Sequence, residues 1–242
     1  MTRILFLSLS LTIFYSCGNA QNATSKIENT FENGNPKVYA STITLDELKT
    51  DLFTYASDEF EGRETGRIGQ KRAVEFLKNR YIDLGIPSPI APDDYFQEIE
   101  SKHLKGNGES ENVLAYIKGS EKPEEVIVIS AHLDHEGVKG DDIYNGADDD
   151  GSGTVAILEI AEAFKLATGN GYRPKRSILF LHVTGEEKGL LGSRYYTDVD
   201  PVFPLKNTVA NLNMDMIGRT DPKRDSSNRN YLYLIGIPIK YK

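Results

Sequence analysis

Apolar positions along the chain fall into three patterns. Near the middle lie short, almost unbroken apolar runs: NVLAYI at 112–117, EVIVIS at 125–130 and SILFLHV at 177–183. A strand covered on both faces has no polar side to show, so such runs predict buried strands. TVANLNMDM at 208–216 and YLYLIG at 231–236 are two further strand candidates. Between the runs the period changes to that of a helix. In GQKRAVEFLKNRYIDLG, Ala73, Phe76, Leu77, Tyr81 and Leu84 share one face, and Gly85 stands where a helix would stop. In TVAILEIAEAFKLA, 154–167, the apolar positions are Val155, Leu158, Ile160, Ala161 and Phe164. TLDELKTDLFTYAS opens on Thr44 with Glu47 three residues on, a capping pair before a helix. Helices alternating with buried strands predict an α/β fold: a mixed, mostly parallel sheet with helices on both faces.

The third pattern is at the N-terminus. Behind Met1, Thr2 and Arg3 runs ILFLSLSLTIFY, too short to span a bilayer and built like an export signal. It ends at Ser16-Cys17, which resembles a bacterial lipoprotein signal cleaved before Cys17; ordinary cleavage after Ala20 is the alternative. The expected organisation is a lipoprotein signal over 1–16, a polar flexible tether over 17–43 and one domain over 44–242. The mature protein is then periplasmic or at the cell surface, touching the membrane only through lipid on Cys17.

Composition narrows the function. A length of 242 residues holds one α/β domain of ordinary size. A net charge of −8 disfavours nucleic acid as a partner. Cys17 is the only cysteine, which excludes an internal disulfide and a cysteine-rich zinc site.

The acidic residues are placed where strands end. EVIVIS runs into AHLDHEG, SILFLHV into TGEEKGLLGS and TVANLN into MDM, while Asp148, Asp149 and Asp150 follow the first of these strands in YNGADDDGSGT. Open α/β sheets bind ligands at the carboxyl ends of their strands. One rim therefore receives His132, Asp134, Asp149, Glu186, Glu187 and Asp215. An imidazole among carboxylates suits zinc, manganese or cobalt. Asp134, two residues beyond His132, is placed to hold the imidazole and fix its tautomer. One of the three aspartates is a natural bridge between two metals. In GEEKG one glutamate can bind metal while the other takes a proton from metal-activated water.

Taken in order, SAHLDHEG, NGADDDGSGTVAILEIAEAF, ILFLHVTGEEKGLLGS and NLNMDMIGR, with YASDEFEGRETGRIG upstream, resemble the M28 family of zinc peptidases, which includes bacterial leucyl aminopeptidases. The resemblance spans roughly Thr44 to Gly236. It implies a three-layer α/β/α sandwich holding two zinc ions and removing residues from peptides with a free N-terminus. It further implies that His132 ligates one zinc with support from Asp134, that Asp149 bridges both metals, and that Asp215 completes the first site. Glu187 would ligate the second zinc and Glu186 would be the general base. Asp150 would follow Asp149 in a strained peptide, and Asp148 would be solvated or a loop cap.

The family pattern also asks for a histidine beyond Asp215, whereas the histidines here are His103, His132, His135 and His182. His182 reads as a core residue and His135 as a neighbour of the first ligand. The expectation is a sequence that stops short of the family's C-terminal end, with one tight zinc, a second site lacking its histidine, and an exposed apolar patch at Leu232, Leu234 and Ile235. Three other readings compete. From Asp148 the loop fits a calcium template ending at Glu159, but a strand and glycines precede it where a helix is needed. An inactive or single-zinc relative, a binding module or a cyclase of N-terminal glutamine, would keep the same scaffold. Ser152 lacks the Gly-x-Ser-x-Gly spacing of a serine nucleophile.

Overall fold

The computed structural model describes residues 34–224 and 227–236; the expected signal and most of the tether lie outside these. The ordered domain begins earlier than Thr44. A short helix α1 (Pro36–Ala40) is capped by Asn35 and buries Tyr39, whose ring lies 6.2 Å from that of Tyr172. Within the stretch 17–43 expected to be a tether, residues 36–40 are helical. Five residues carry no readable period, and one anchoring aromatic was enough.

Helix α2 (Leu45–Tyr55) starts where the capping pair predicts, with Thr44 Oγ1 accepting from the Glu47 N–H at 3.2 Å. Helix α3 (Ile68–Asp83) ends in a turn closed by Gly85, whose φ of 62° suits a residue without a side chain. Strands β1 (Phe96–Ile99), β2 (Ser110–Ile117) and β3 (Lys122–His132) follow, then a separate hairpin of β4 (Gly137–Lys139) and β5 (Asp142–Tyr144). Helix α4 (Gly153–Gly169), strand β6 (Arg176–Val183), the helical turn α5 (Leu191–Arg194) and strand β7 (Thr208–Asn213) complete the order.

The sheet runs β1-β2-β6-β3-β7 and is mixed. β1 and β2 are antiparallel additions, whereas β6, β3 and β7 are mutually parallel. In register His132 lies level with Val183, and Ser130 with Asn213, so the three parallel strands end together. That shared end is the acidic rim.

The apolar runs are buried on both sides for a visible reason. One sheet face, with Val113, Ala115, Ile129, Ala131, Ile178 and Phe180, packs on α3 and α4. The other, with Leu114, Val126, Val128, Leu179, Leu181 and Val183, packs against Tyr196. Burying each large apolar side chain fully stabilises the fold by about 1.5–3 kcal/mol relative to exposure. His182 belongs to this core: Tyr81 Oη lies 2.7 Å from its Nε2, and burial pushes the imidazole down to about 3.

The strand expected at 231–236 does not form. Leu232, Leu234 and Ile235 are 68%, 91% and 98% exposed, and Tyr231 instead packs under the Arg224 guanidinium. Apolar alternation makes a strand only where a neighbour supplies the hydrogen-bond ladder, and none lies beside this segment among the described residues. β7 is also shorter than 208–216, because its last residues turn into the site.

Candidate active site

His132 is the last residue of β3 and is held from three sides. Its N–H donates to Asp150 Oδ2 at 3.2 Å, and its carbonyl accepts from Thr154 Oγ1 at 2.8 Å. Its Nδ1 lies 3.0 Å from the backbone carbonyl of Asp134. A carbonyl only accepts, so Nδ1 donates, and Nε2 is left facing Asp149 Oδ1 at 3.0 Å and Asp215 Oδ1 at 3.9 Å. Asp134 does fix the tautomer, but through its backbone; its carboxylate is 3.8 Å from the ring. That carboxylate, fully buried, accepts from the Glu186 N–H at 3.0 Å and from Thr65 Oγ1 at 2.8 Å. It therefore holds the glutamate pair in place beside the histidine.

The three consecutive aspartates take three directions, which removes the repulsion their adjacency suggests. They sit in an irregular turn, Ala147–Ser152, in which Asp149 and Asp150 have non-helical backbone angles and are joined by a cis peptide. Asp149 turns to His132. Asp150 turns inward and accepts from the N–H groups of His132, Gly153 and Met216, at 3.2, 3.0 and 3.3 Å. One buried carboxylate thus ties β3, the start of α4 and the segment after β7. Asp148 is not solvated: it accepts from the Gly218 N–H at 2.8 Å and pairs with Arg219 at 3.0 Å. With Asp148 and Asp150 engaged by N–H groups, and Glu159 directed toward Arg80 at 3.8 Å, the calcium-loop reading is excluded. Ser152 Oγ donates to the Asp148 carbonyl and accepts from the Ile217 N–H, a bracing role.

Asp215 arrives because β7 continues its ladder by one bond: the Met214 N–H donates to the Ser130 carbonyl at 2.8 Å. Two groups of three then offer ligand atoms within 4.8 Å of one another, His132 with Asp149 and Asp215, and His135 with Asp149 and Glu187. Asp149 is common to both. One imidazole with two carboxylates is a donor set that fits zinc.

The electrostatics favour a cation here. Burial alone disfavours a charged His132, but contact with Asp134 and the charges of Asp134, Asp150 and Glu186 outweigh it and hold the imidazole up to about 10. Burial raises Asp150 to about 7, against the pull of His132. Glu186 is raised by burial, again against His132, with Asp134, Glu187 and Asp215 adding to the rise. Glu186 lines one end of a cleft of about 290 Å³ with His132 and Asp215, while Val128, Leu181 and Tyr196 form apolar walls.

Arg63 also belongs to the site, and sequence reasoning misses it. It is fully buried, and its guanidinium donates to the carbonyls of Leu133, Tyr55, Asn145 and Gly146 at 2.7–3.2 Å. It clamps the strand end carrying His132 to the loop carrying the aspartates. The only sequence signal is an arginine among acidic residues in EFEGRE, which reads equally well as surface.

Comparison with known proteins agrees with this layout. Residues 112–233 match the model of peptidase family M28. Leupeptin-inactivating enzyme 1 of Streptomyces exfoliatus is 28% identical over 202 residues, covering 79% of this chain and 41% of that enzyme. A probable zinc metalloprotease of Pyrenophora tritici-repentis is 37% identical over 123 residues, 47% of this chain and 23% of that protein. The chain thus spans well under half the length of these relatives. In fold it is similar to the crystal structure of Porphyromonas gingivalis glutaminyl cyclase, with a TM-score of 0.56 at 20% identity, over 72% of this chain and 62% of that one. The family model takes in half of the chain, including all three parallel strands that end at the acidic rim, and on that evidence the protein is a member of the zinc metallopeptidase family M28.

Proposed function

We propose that the protein is an aminopeptidase, hydrolysing the first peptide bond of a substrate with a free N-terminus. The observation that carries this reading is the convergence of His132, Asp149 and Asp215 at one rim with Glu186 beside them. In this reading His132, Asp149 and Asp215 would hold one zinc ion, and Asp149 with Glu187 would offer ligand atoms to a second. Zinc in such a setting supplies Lewis acidity to a carbonyl and to water. Glu186 is the general base. Burial raises its carboxyl above the ordinary value, which favours accepting a proton from water and later releasing it to the departing amine. Asp134 is a positioning residue, holding the Glu186 backbone through its carboxylate and the His132 ring through its carbonyl. The apolar walls of the cleft suit an apolar residue at the substrate N-terminus.

Glu186→Gln tests the assignment, since it keeps shape and removes basicity. Hydrolysis of an aminoacyl arylamide should fall at least about a hundredfold with zinc content unchanged. An unchanged rate would refute Glu186 as the base. A cyclase on the same scaffold would instead release ammonia from a peptide with N-terminal glutamine and leave the arylamide intact. We further propose that the protein is exported and anchored by lipid on Cys17; this rests on the apolar run and Ser16-Cys17 ending, which lie outside the described residues.

A further inference from the structure

We infer that Gln70 is a positioning residue for the general base: it fixes where the turn bearing Glu186 stands at the rim. The inference rests on the peptidase reading above and deepens it.

Gln70 lies in the first turn of α3, on the face that also buries Ala73, Val74, Leu77 and Tyr81. An amide on an apolar helix face costs free energy unless it is hydrogen-bonded, and this one is bonded through both its oxygen and its nitrogen. Its Oε1 accepts from the Gly66 N–H at 2.6 Å, and its Nε2 donates to Thr184 Oγ1 at 2.8 Å and to Ser110 Oγ. The Ser110 and Thr184 hydroxyls also bond each other at 2.7 Å, and all three residues are wholly buried. An apolar side chain of the same length would fill the space and leave these groups without Gln70 as partner.

Those partners lead to Glu186. Residues 184–192 form a turn closed on itself. The Gly192 N–H donates to the Thr184 carbonyl at 2.8 Å, the Leu191 N–H to the Gly185 carbonyl at 2.9 Å, and the Gly189 and Leu190 N–H groups to the Glu186 carbonyl at 2.8 and 3.0 Å. Such a unit shifts as one body, so Glu186 stands where the unit is fastened. Its buried polar ties run through Asn112, Asp134 and the Gln70–Ser110 pair. Asn112 accepts from the Thr184 N–H at 2.9 Å and donates to the Gly192 carbonyl at 3.0 Å. Asp134 accepts from the Glu186 N–H. Gln70 holds the Thr184 side chain, and through Gly66 it also holds the loop in which Thr65 donates to Asp134. It therefore bears on Glu186 from two sides. The fastening has work to do, because Asp134, Glu187 and Asp215 are like charges around the Glu186 carboxylate and push it away from the rim.

Steady-state kinetics of the full-length, zinc-loaded protein on an aminoacyl arylamide, read beside hydrogen–deuterium exchange, test this. Gln70→Met keeps the length of the side chain and removes its amide. It should lower kcat about tenfold or more, the scale of a misplaced reacting group, with KM and retained zinc within about twofold of wild type. Peptides covering 184–192 should exchange faster in the variant. Thr184→Val loses only a hydroxyl and should act in the same direction; it is counted in place of Gln70→Met should that protein not fold. Tyr95→Phe is the control. It removes another buried bond, from Tyr95 Oη to the Ile86 carbonyl at 2.7 Å, beyond the other end of α3, and should leave both kcat and the exchange of 184–192 unchanged. An unchanged kcat in folded Gln70→Met, an equal fall in Tyr95→Phe, or a fall that merely tracks lost zinc would overturn the inference. A wild-type protein that leaves the arylamide intact would overturn the peptidase reading instead. The exchange comparison still decides the placement of the turn in that case: faster exchange in Gln70→Met upholds it, and unchanged exchange overturns it.

Discussion

At the scale of single residues, charge is governed by what each carboxylate faces. Asp148, Asp149 and Asp150 are adjacent, yet one pairs with Arg219, one faces His132 and one accepts three backbone N–H groups. Glu159 is the contrasting case. It is 2% exposed on α4, its Oε1 has no hydrogen bond, and the groups around it are Glu47 and Asp51 from α2, Arg80 from α3 and Glu162 from its own helix. Burial first, then the three acidic neighbours, raise it from 4.5 to about 7, and Arg80 only partly offsets them. Its folded value is above its unfolded value, so folding takes up a proton between pH 4.5 and 7. The stability it contributes is present below that window and is lost as pH rises through about 7. Glu159→Gln should therefore stabilise the protein at pH 8 by about 1–2 kcal/mol and change it little at pH 4.5. Urea unfolding of both proteins at the two pH values measures this. An equal effect at both would show that Glu159 does not titrate in this window.

At the scale of elements, the rim is held by its strands and also by one side chain beneath it. Arg63 donates to four carbonyls in three segments, including Leu133 at the end of β3 and Asn145 and Gly146 in the aspartate loop. Its guanidinium also lies 4.5 Å from the centre of the Tyr55 ring. Arg63→Ala would leave these buried acceptors without donors and should cost about 3–5 kcal/mol, visible as a lowered urea midpoint. Arg63→Lys keeps the charge but not the planar fork, so it should fall between the two. A lysine variant as stable as wild type would mean that charge alone matters. The elements themselves are legible where periodicity is long. Helices α2, α3 and α4 and strands β2, β3 and β6 run over eight to seventeen residues and announce themselves. Strands β1, β4 and β5, of three or four residues, do not, because two alternations are indistinguishable from loop.

At the scale of the whole molecule, the groups of the candidate site gather at one end of the sheet, and no helix among the described residues is long and apolar enough to cross a membrane. The membrane attachment proposed above is through lipid on Cys17. Cys17→Ser should move the protein from the membrane pellet to the soluble fraction of lysed cells while leaving its far-ultraviolet circular dichroism unchanged. Recovery of the wild type in the soluble fraction would refute the anchor.

Whatever depends on neighbours along the polypeptide is legible in the residues alone. Burial on both sheet faces writes itself as unbroken apolar runs, amphipathic helices write a 3.6-residue period, and a strand that ends at a ligand rim writes charge directly after apolar residues. His132, Asp134, Asp149, Glu186, Glu187 and Asp215 are readable for that reason. Contact between distant segments is settled only by folding. Strand order placed β7 beside β3, and so Asp215 beside His132. With no neighbouring strand among the described residues, 231–236 stays outside the sheet. Packing turned Asp150 inward and Asp148 toward Arg219, and it buried Arg63 beneath loops up to 83 residues away. It also separated His135 from His132, because a ring's direction at a strand end is set by the backbone that closes over it, here Gly146 and Arg63, and not by its distance along the sequence.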